Sequence, residues 1–212
     1  MNSASAPKTW KTRRPPGVVV SRLSCSEVKP ISRRRRSATV ARTRGRRGIT
    51  PVVAVSGSPG GRVSIAGMVC YRPGHRSRLI YRPHRYQWRA GEVASFTWTD
   101  YRDLLITAHR HLDAPIVVIW DNLNWHTCAE MQWFIQAGDD WRTVVRLPPY
   151  APDLNPAEGI WSLLNRGVLA NLAVCSLDHL IRVIEHGLKK IQYCPHLIDG
   201  CLAETGLLLK PP

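Results

Sequence analysis

Two carboxylates stand where a chain can do chemistry with them. Asp121 closes the string IVVIWD (116–121), directly after a run of β-branched residues, and Glu158 sits within LPPYAPDLNPAEGIW (147–161). Carboxylate oxygens are the preferred ligands of hard divalent cations such as Mg²⁺, and two such ions about 3.5–4 Å apart can clamp the attacking and leaving oxygens of a phosphodiester. Each residue also has a purely structural reading. Asp and Asn are ordinary turn formers at a strand end. Asn155, Pro156 and Glu158 fit the N-cap, first and third positions of a helix, so Glu158 could simply reach back to a backbone amide in a variant capping box. Residue types alone leave both readings open.

The elements around them are legible from pattern. IVVIW (116–120) is a short continuous apolar run, which predicts a strand covered on both faces, and ligands bind in the crevice outside the carboxyl ends of such strands. TVVRL (143–147) predicts a second buried strand, stopped by Pro148 and Pro149. A helix is predicted between these strands over Ala129–Gln136, and another before them over Thr99–Leu112, capped by Thr99. Two helices follow: one from Pro156 to about Ala170, and one carrying Leu177, Leu180, Ile181, Ile184, Leu188 and Ile191 on one stripe. Upstream, PVVAV (51–55), RVSIAGMVCY (62–71) and RLIY (78–81), separated by Gly and Pro, predict three antiparallel strands. This order gives an α/β fold, a mixed sheet with helices packed on it. The 36 residues between Asp121 and Glu158 hold one helix and one strand, which would let both carboxylates meet at one rim of the sheet.

A chain of 212 residues accommodates one well-packed domain with a tail. Residues 1–48 are rich in Arg, Ser, Pro and Ala and read as a basic, disordered or degenerate segment, with the folded domain over 49–212. The net charge of +15 is uneven: residues 1–90 hold 21 of the 30 Lys and Arg and one acid, Glu27, whereas residues 91–212 hold nine bases and fourteen acids. Clustered Arg, as in Arg33–Arg36, favours DNA or RNA as partner through counterion release, although such a run also suits a solvated tail. No run is long enough to cross a membrane and no apolar signal segment is present, which predicts a soluble cytoplasmic protein. The six Cys lack any C-x-x-C pair, and the nearest cluster, Cys194, His196 and Cys201, is a poor zinc signal. Reduced, mostly buried thiols are expected.

WDNLNWH followed by RLPPYAPDLNPAEGIWSLL resembles the catalytic domain of bacterial insertion-sequence transposases of the mariner-related group, enzymes of the DDE class with a ribonuclease H-like fold. The resemblance covers about residues 43–207, and RTRGRRGITPVVAVSG (42–57) is similar to that family's early β-hairpin. It implies that Asp121 and Glu158 are the second and third carboxylates of a metal-binding triad holding Mg²⁺ or Mn²⁺, two ions in a functional site. The implied activity is metal-dependent cleavage at transposon ends followed by strand transfer into target DNA, by a homo-oligomer working at the nucleoid. Asn122 and His126 match positions flanking the second Asp, with roles in orienting water or contacting DNA. Asn155 belongs to the third motif, and Arg42, Arg44, Arg46 and Arg47 are candidate DNA contacts. Asn165 stands where the family often carries Lys, a change that would remove a phosphate contact.

The first Asp of the triad, expected at the end of the opening strand, has no counterpart. No Asp precedes Asp100, and Glu27 follows SRLSCS, which does not resemble the family's first motif. An Arg-, Ser-, Pro- and Ala-rich segment without Asp is what GC-rich DNA read out of frame tends to give. The expectation is therefore a truncated, inactive transposase, or a non-catalytic DNA-binding remnant of one, with frame-shifted text before about Thr43. Neither is a helix-turn-helix region visible in residues 1–48. Translation of the upstream DNA in its other two frames tests the frame shift, which fails if neither yields an apolar strand ending in an acidic pair.

Overall fold

The computed structural model describes residues 61–87, 89–137, 141–148, 152–170, 172, 174 and 176–206, together with the backbone of residues 20–28. Within these residues five strands form one sheet: β1 (Val20–Val28), β2 (Arg62–Tyr71), β3 (Arg78–Tyr86), β4 (Ile116–Trp120) and β5 (Arg142–Arg146), in the spatial order β3-β2-β1-β4-β5. β2 and β3 make an antiparallel hairpin, in register from Arg62↔Tyr86 to Cys70↔Arg78. Gly74 in its turn has φ +73, a conformation that suits a residue without Cβ. β1 is antiparallel to β2 and parallel to β4, and β4 is parallel to β5. The sheet thus changes direction at β1, and β1, β4 and β5 open their carboxyl ends onto one rim.

The antiparallel trio differs from the expected meander. Its third member is β1, which lies within the segment read as disordered or degenerate, while PVVAV (51–55) falls outside the described residues. β1 is a strand because both its neighbours offer a ladder: Val20–Val28 pairs along its whole length with β2, and Val20–Leu23 pairs with β4. Backbone pairing in the middle of a sheet outweighs the weak pattern of VSRLSCSEV.

Among the described residues, six helices cover the sheet: α1 (Trp98–Leu112), α2 (Asn124–Thr127), α3 (Ala129–Gln136), α4 (Pro156–Arg166), α5 (Leu177–Tyr193) and α6 (Pro195–Glu204), with a 3₁₀ turn at Pro152–Leu154. α1 is capped by Thr97 rather than Thr99, because Asp100 at the third position returns a bond to the Thr97 amide at 2.9 Å. α4 stops at Arg166, short of the expected end near Ala170, where Gly167 follows; Gly costs a helix about 1 kcal/mol relative to Ala. α6 was not expected, since PHLIDGCLAE shows no clean apolar stripe, yet it buries Ile198 and Cys201.

Period-two alternation divides the core. On one face Val63, Ile65, Val69 and Tyr71 of β2 pack with α4, α5 and α6. On the other, Ala66, Met68 and Cys70 pack with Ile116, Val118 and Trp120 of β4 and with α1 and Met131 of α3. The prediction that residues 143–147 form a buried strand requires correction: among the described residues β5 is the sheet edge, its only buried residue is Arg142, and Val145 is exposed. An apolar run reports that a strand has covered neighbours, not which side of the sheet it takes.

One close approach sets the height of α4. A Cβ on Gly67 would lie 2.6 Å from Cη2 of Trp161, so only glycine lets the indole of α4 rest on the centre of β2.

Candidate active site

The rim where β4 and β5 end is stitched past the last strand residues. The Leu147 amide donates to Trp120 O at 3.0 Å, and Asn122 Nδ2 donates to Leu147 O at 3.3 Å. Asn122 therefore ties the exit of β4 to the exit of β5, and the connection carrying Asp121 has little freedom.

Asp121 follows directly, its side chain 42% exposed. Its Oδ1 accepts the Leu123 amide at 3.2 Å, an Asx turn, and also meets Nδ1 of His126 at 2.9 Å. The turn-forming reading of this Asp is thus correct as far as it goes, and a second donor sits on the same oxygen. His126 is fully buried. Its ring stacks on Trp120 at 4.7 Å and 5° and takes the edge of Tyr101 at 4.8 Å and 75°. A ring enclosed in this way cannot touch DNA or bulk water, as the sequence reading allowed, because its surface is spent on Trp120, Tyr101 and Asp121.

Glu158 lies in the first turn of α4, exposed at the end that follows β5. The capping-box alternative had Glu158 reaching back to the Asn155 amide. The Asn155 amide instead donates to Pro152 O at 2.7 Å, and Glu158 Oε1 receives the side-chain Nδ2 of Asn155 at 3.2 Å. Asn155, buried, simultaneously accepts the Ala157 amide on Oδ1 at 3.0 Å. One neutral amide both starts the helix and holds the carboxylate.

The strand register shows which residue of β1 lies beside Asp121. Leu23 of β1 pairs with Trp120 of β4, so the position beside Asp121 is Ser24. Glu27 pairs with Ser64, three residues beyond Ser24, about 10 Å at a strand rise of about 3.3 Å per residue. Carboxylate oxygens are the right kind of donor for a hard cation, and the register puts Ser24, not a carboxylate, beside Asp121 on β1. Among the described residues no group of three His, Cys, Asp or Glu could hold a metal ion.

The remaining sequence candidates are placed as follows. Arg42, Arg44, Arg46 and Arg47 lie outside the described residues, as do Arg33–Arg36. Asn165 is exposed on α4, next to exposed Arg166. Cys201 is buried against Gly159 of α4, and burial pushes its thiol up to about 11, which opposes the thiolate that zinc would need. Cys70 is likewise buried, and Cys128 and Cys194 are half-buried, all four free thiols. Sequence reasoning missed the partners of the two carboxylates. WDNLNWH contained the signal, an aromatic and a His around an Asp, but not the stacking that turns the His inward.

A family model described as DDE superfamily endonuclease matches residues 31–181. Among solved structures, the Mos1 transposase paired-end complex with left transposon end matches with a TM-score of 0.52 and 14% identity, covering 90% of this chain and 56% of that one. The Mos1 mariner paired-end complex with Mn (TM-score 0.50, 15% identity, 90% and 56% covered) and that with Mg (0.50, 16%, 91% and 56%) match similarly. The chain spans a little over half the length of these structures, and at such identities the likeness is one of fold. No curated protein sequence matches the chain. The family match spans more than two thirds of the 212 residues, and the chain belongs to the DDE superfamily endonucleases, with their ribonuclease H-like sheet.

Proposed function

We propose that the chain is the catalytic domain of a DNA transposase, of the kind carried by bacterial insertion sequences, with Asp121 and Glu158 as two of its metal-binding carboxylates. The observation that carries this reading is that each carboxylate is held by a side-chain donor of its own, His126 on Asp121 and Asn155 on Glu158. A capping or turn role needs no such second partner. Two bound Mg²⁺ or Mn²⁺ ions would supply the positive charge that polarises a phosphodiester and stabilises the departing oxygen. The protein's own part is positional. Asn122 locks the two strand exits together, Trp161 on Gly67 fixes the height of α4, and the two donors aim the carboxylates.

The partner is DNA, transposon ends and then target, engaged by more than one copy of the chain at the nucleoid. The Mos1 structures matched in fold are paired-end complexes, with Mn or Mg in two cases, and no described helix is long and apolar enough to cross a membrane. The serine at position 24 supports a second reading, a DNA-binding remnant that no longer cleaves. Loss of one of three ligands should leave cleavage at background.

Incubation of the purified chain with labelled transposon-end DNA and Mn²⁺ separates the readings, using Ser24→Asp to supply the third carboxylate. Cleavage gained in Ser24→Asp and abolished by adding Asp121→Asn or Glu158→Gln supports the transposase site. Salt-sensitive binding with no cleavage in any variant supports the remnant.

A further inference from the structure

Among the described residues, the buried imidazole of His126 meets Asp121 through one nitrogen and nothing through the other. Nδ1 meets Asp121 Oδ1 at 2.9 Å, whereas Nε2 is buried with no hydrogen-bond partner among the described residues. The backbone around it is fixed: the His126 amide donates to Leu123 O at 2.8 Å, and Gln132 Nε2 donates to His126 O at 3.1 Å. Trp120 and Tyr101 fix the ring plane.

A carboxylate only accepts hydrogen bonds, so the proton of this contact belongs to Nδ1. A buried N–H without an acceptor is costly to leave unmade, which favours Nε2 as the bare nitrogen. We propose that His126 is a positioning residue for Asp121: its Nδ1–H, clamped by the Trp120 stack, holds Oδ1 and so orients the carboxylate toward a divalent cation. This inference rests on the reading of Asp121 as a metal ligand. With one donor in an Asx turn, an Asp side chain keeps a broad range about its terminal bond. A second donor on the same oxygen from a rigid ring narrows that range, and partners of this sort govern metal affinity by about 10–100-fold.

Two substitutions separate positioning from packing. His126→Phe keeps an aromatic ring against Trp120 and Tyr101 and cannot donate. His126→Asn fills the pocket poorly, yet its amide nitrogen lies near the place of Nδ1. Positioning predicts that Phe preserves thermal stability better but weakens Mn²⁺ binding by about 10–100-fold, while Asn melts lower and retains most of the affinity. Mn²⁺ binding to the full chain is read by electron paramagnetic resonance of the free ion. Wild-type affinity in His126→Phe, or equal losses in both variants, would overturn the proposal.

¹⁵N NMR of the histidine-labelled chain reads the tautomer without metal. The proposal predicts Nδ1 protonated and Nε2 bare in the wild type, with the pattern disturbed in Asp121→Asn; a protonated Nε2 and bare Nδ1 contradicts it. Should Asp121→Asn itself leave Mn²⁺ affinity unchanged, the metal reading of Asp121 fails, and the tautomer still decides whether His126 holds that carboxylate.

Discussion

Asn155 serves α4 with both ends of its side-chain amide: Oδ1 caps the Ala157 amide at 3.0 Å and Nδ2 holds Glu158 Oε1 at 3.2 Å. The two tasks can be separated by substitution. Asn155→Ser retains an N-cap oxygen and loses the nitrogen, whereas Asn155→Ala loses both. Urea unfolding should place Asn155→Ala about 1 kcal/mol below wild type and Asn155→Ser close to it. Mn²⁺ binding should fall alike in both, because only the nitrogen touches the carboxylate. A Ser variant that binds Mn²⁺ as well as wild type would reduce Asn155 to a cap.

The Gly67–Trp161 contact makes a paired prediction. Gly67→Ala places a methyl 2.6 Å from the indole and should cost about 1–3 kcal/mol through overpacking. Trp161→Phe leaves a cavity and destabilises by itself, but in combination with Gly67→Ala the two should cost less than their sum. A thermal-denaturation double-mutant cycle measures the coupling, and strict additivity would show that α4 does not rest on β2 through this pair.

The β1–β4 register predicts which position on β1 can complete the donor set. Ser24→Asp should tighten Mn²⁺ binding, and Glu27→Gln should leave it unchanged, since Glu27 lies three residues along the strand. Calorimetric titration of the two variants checks this. Tightening lost on Glu27→Gln instead would reassign the first carboxylate.

Cys70 and Cys201 are buried, which pushes their thiols up to about 12 and about 11, above the ordinary thiol range. A raised folded-state value stabilises the fold fully below the unfolded thiol value and loses that contribution as pH rises from there through the folded one. The folded chain should therefore lose stability between about pH 9 and pH 12. At neutral pH, iodoacetamide should label Cys128 and Cys194 before Cys70 and Cys201, as read by peptide mass spectrometry.

How much of this was legible before the structure follows from what each signal measures. The apolar run IVVIW and the stripe from Leu177 to Ile191 gave β4 and α5 because burial writes itself into periodicity, and AEMQWFIQ gave α3 with the observed bounds. β1 left little trace, since VSRLSCSEV owes its strand to partners far away in sequence. β5 was readable as a strand but not as an edge. Asp121 and Glu158 were legible as carboxylates in a motif. The holders of those carboxylates were not, because a His turned inward onto Trp120 and an amide used at both ends are facts of orientation, which spacing does not encode.

The central claim is that Asp121 and Glu158 belong to one divalent-cation site. Anomalous diffraction from crystals soaked in Mn²⁺ tests it most directly. The account predicts a manganese peak at coordination distance from a carboxylate oxygen of both residues, absent in Asp121→Asn. No peak at the rim, or a peak bound by one of them and unaffected by loss of the other, would contradict it.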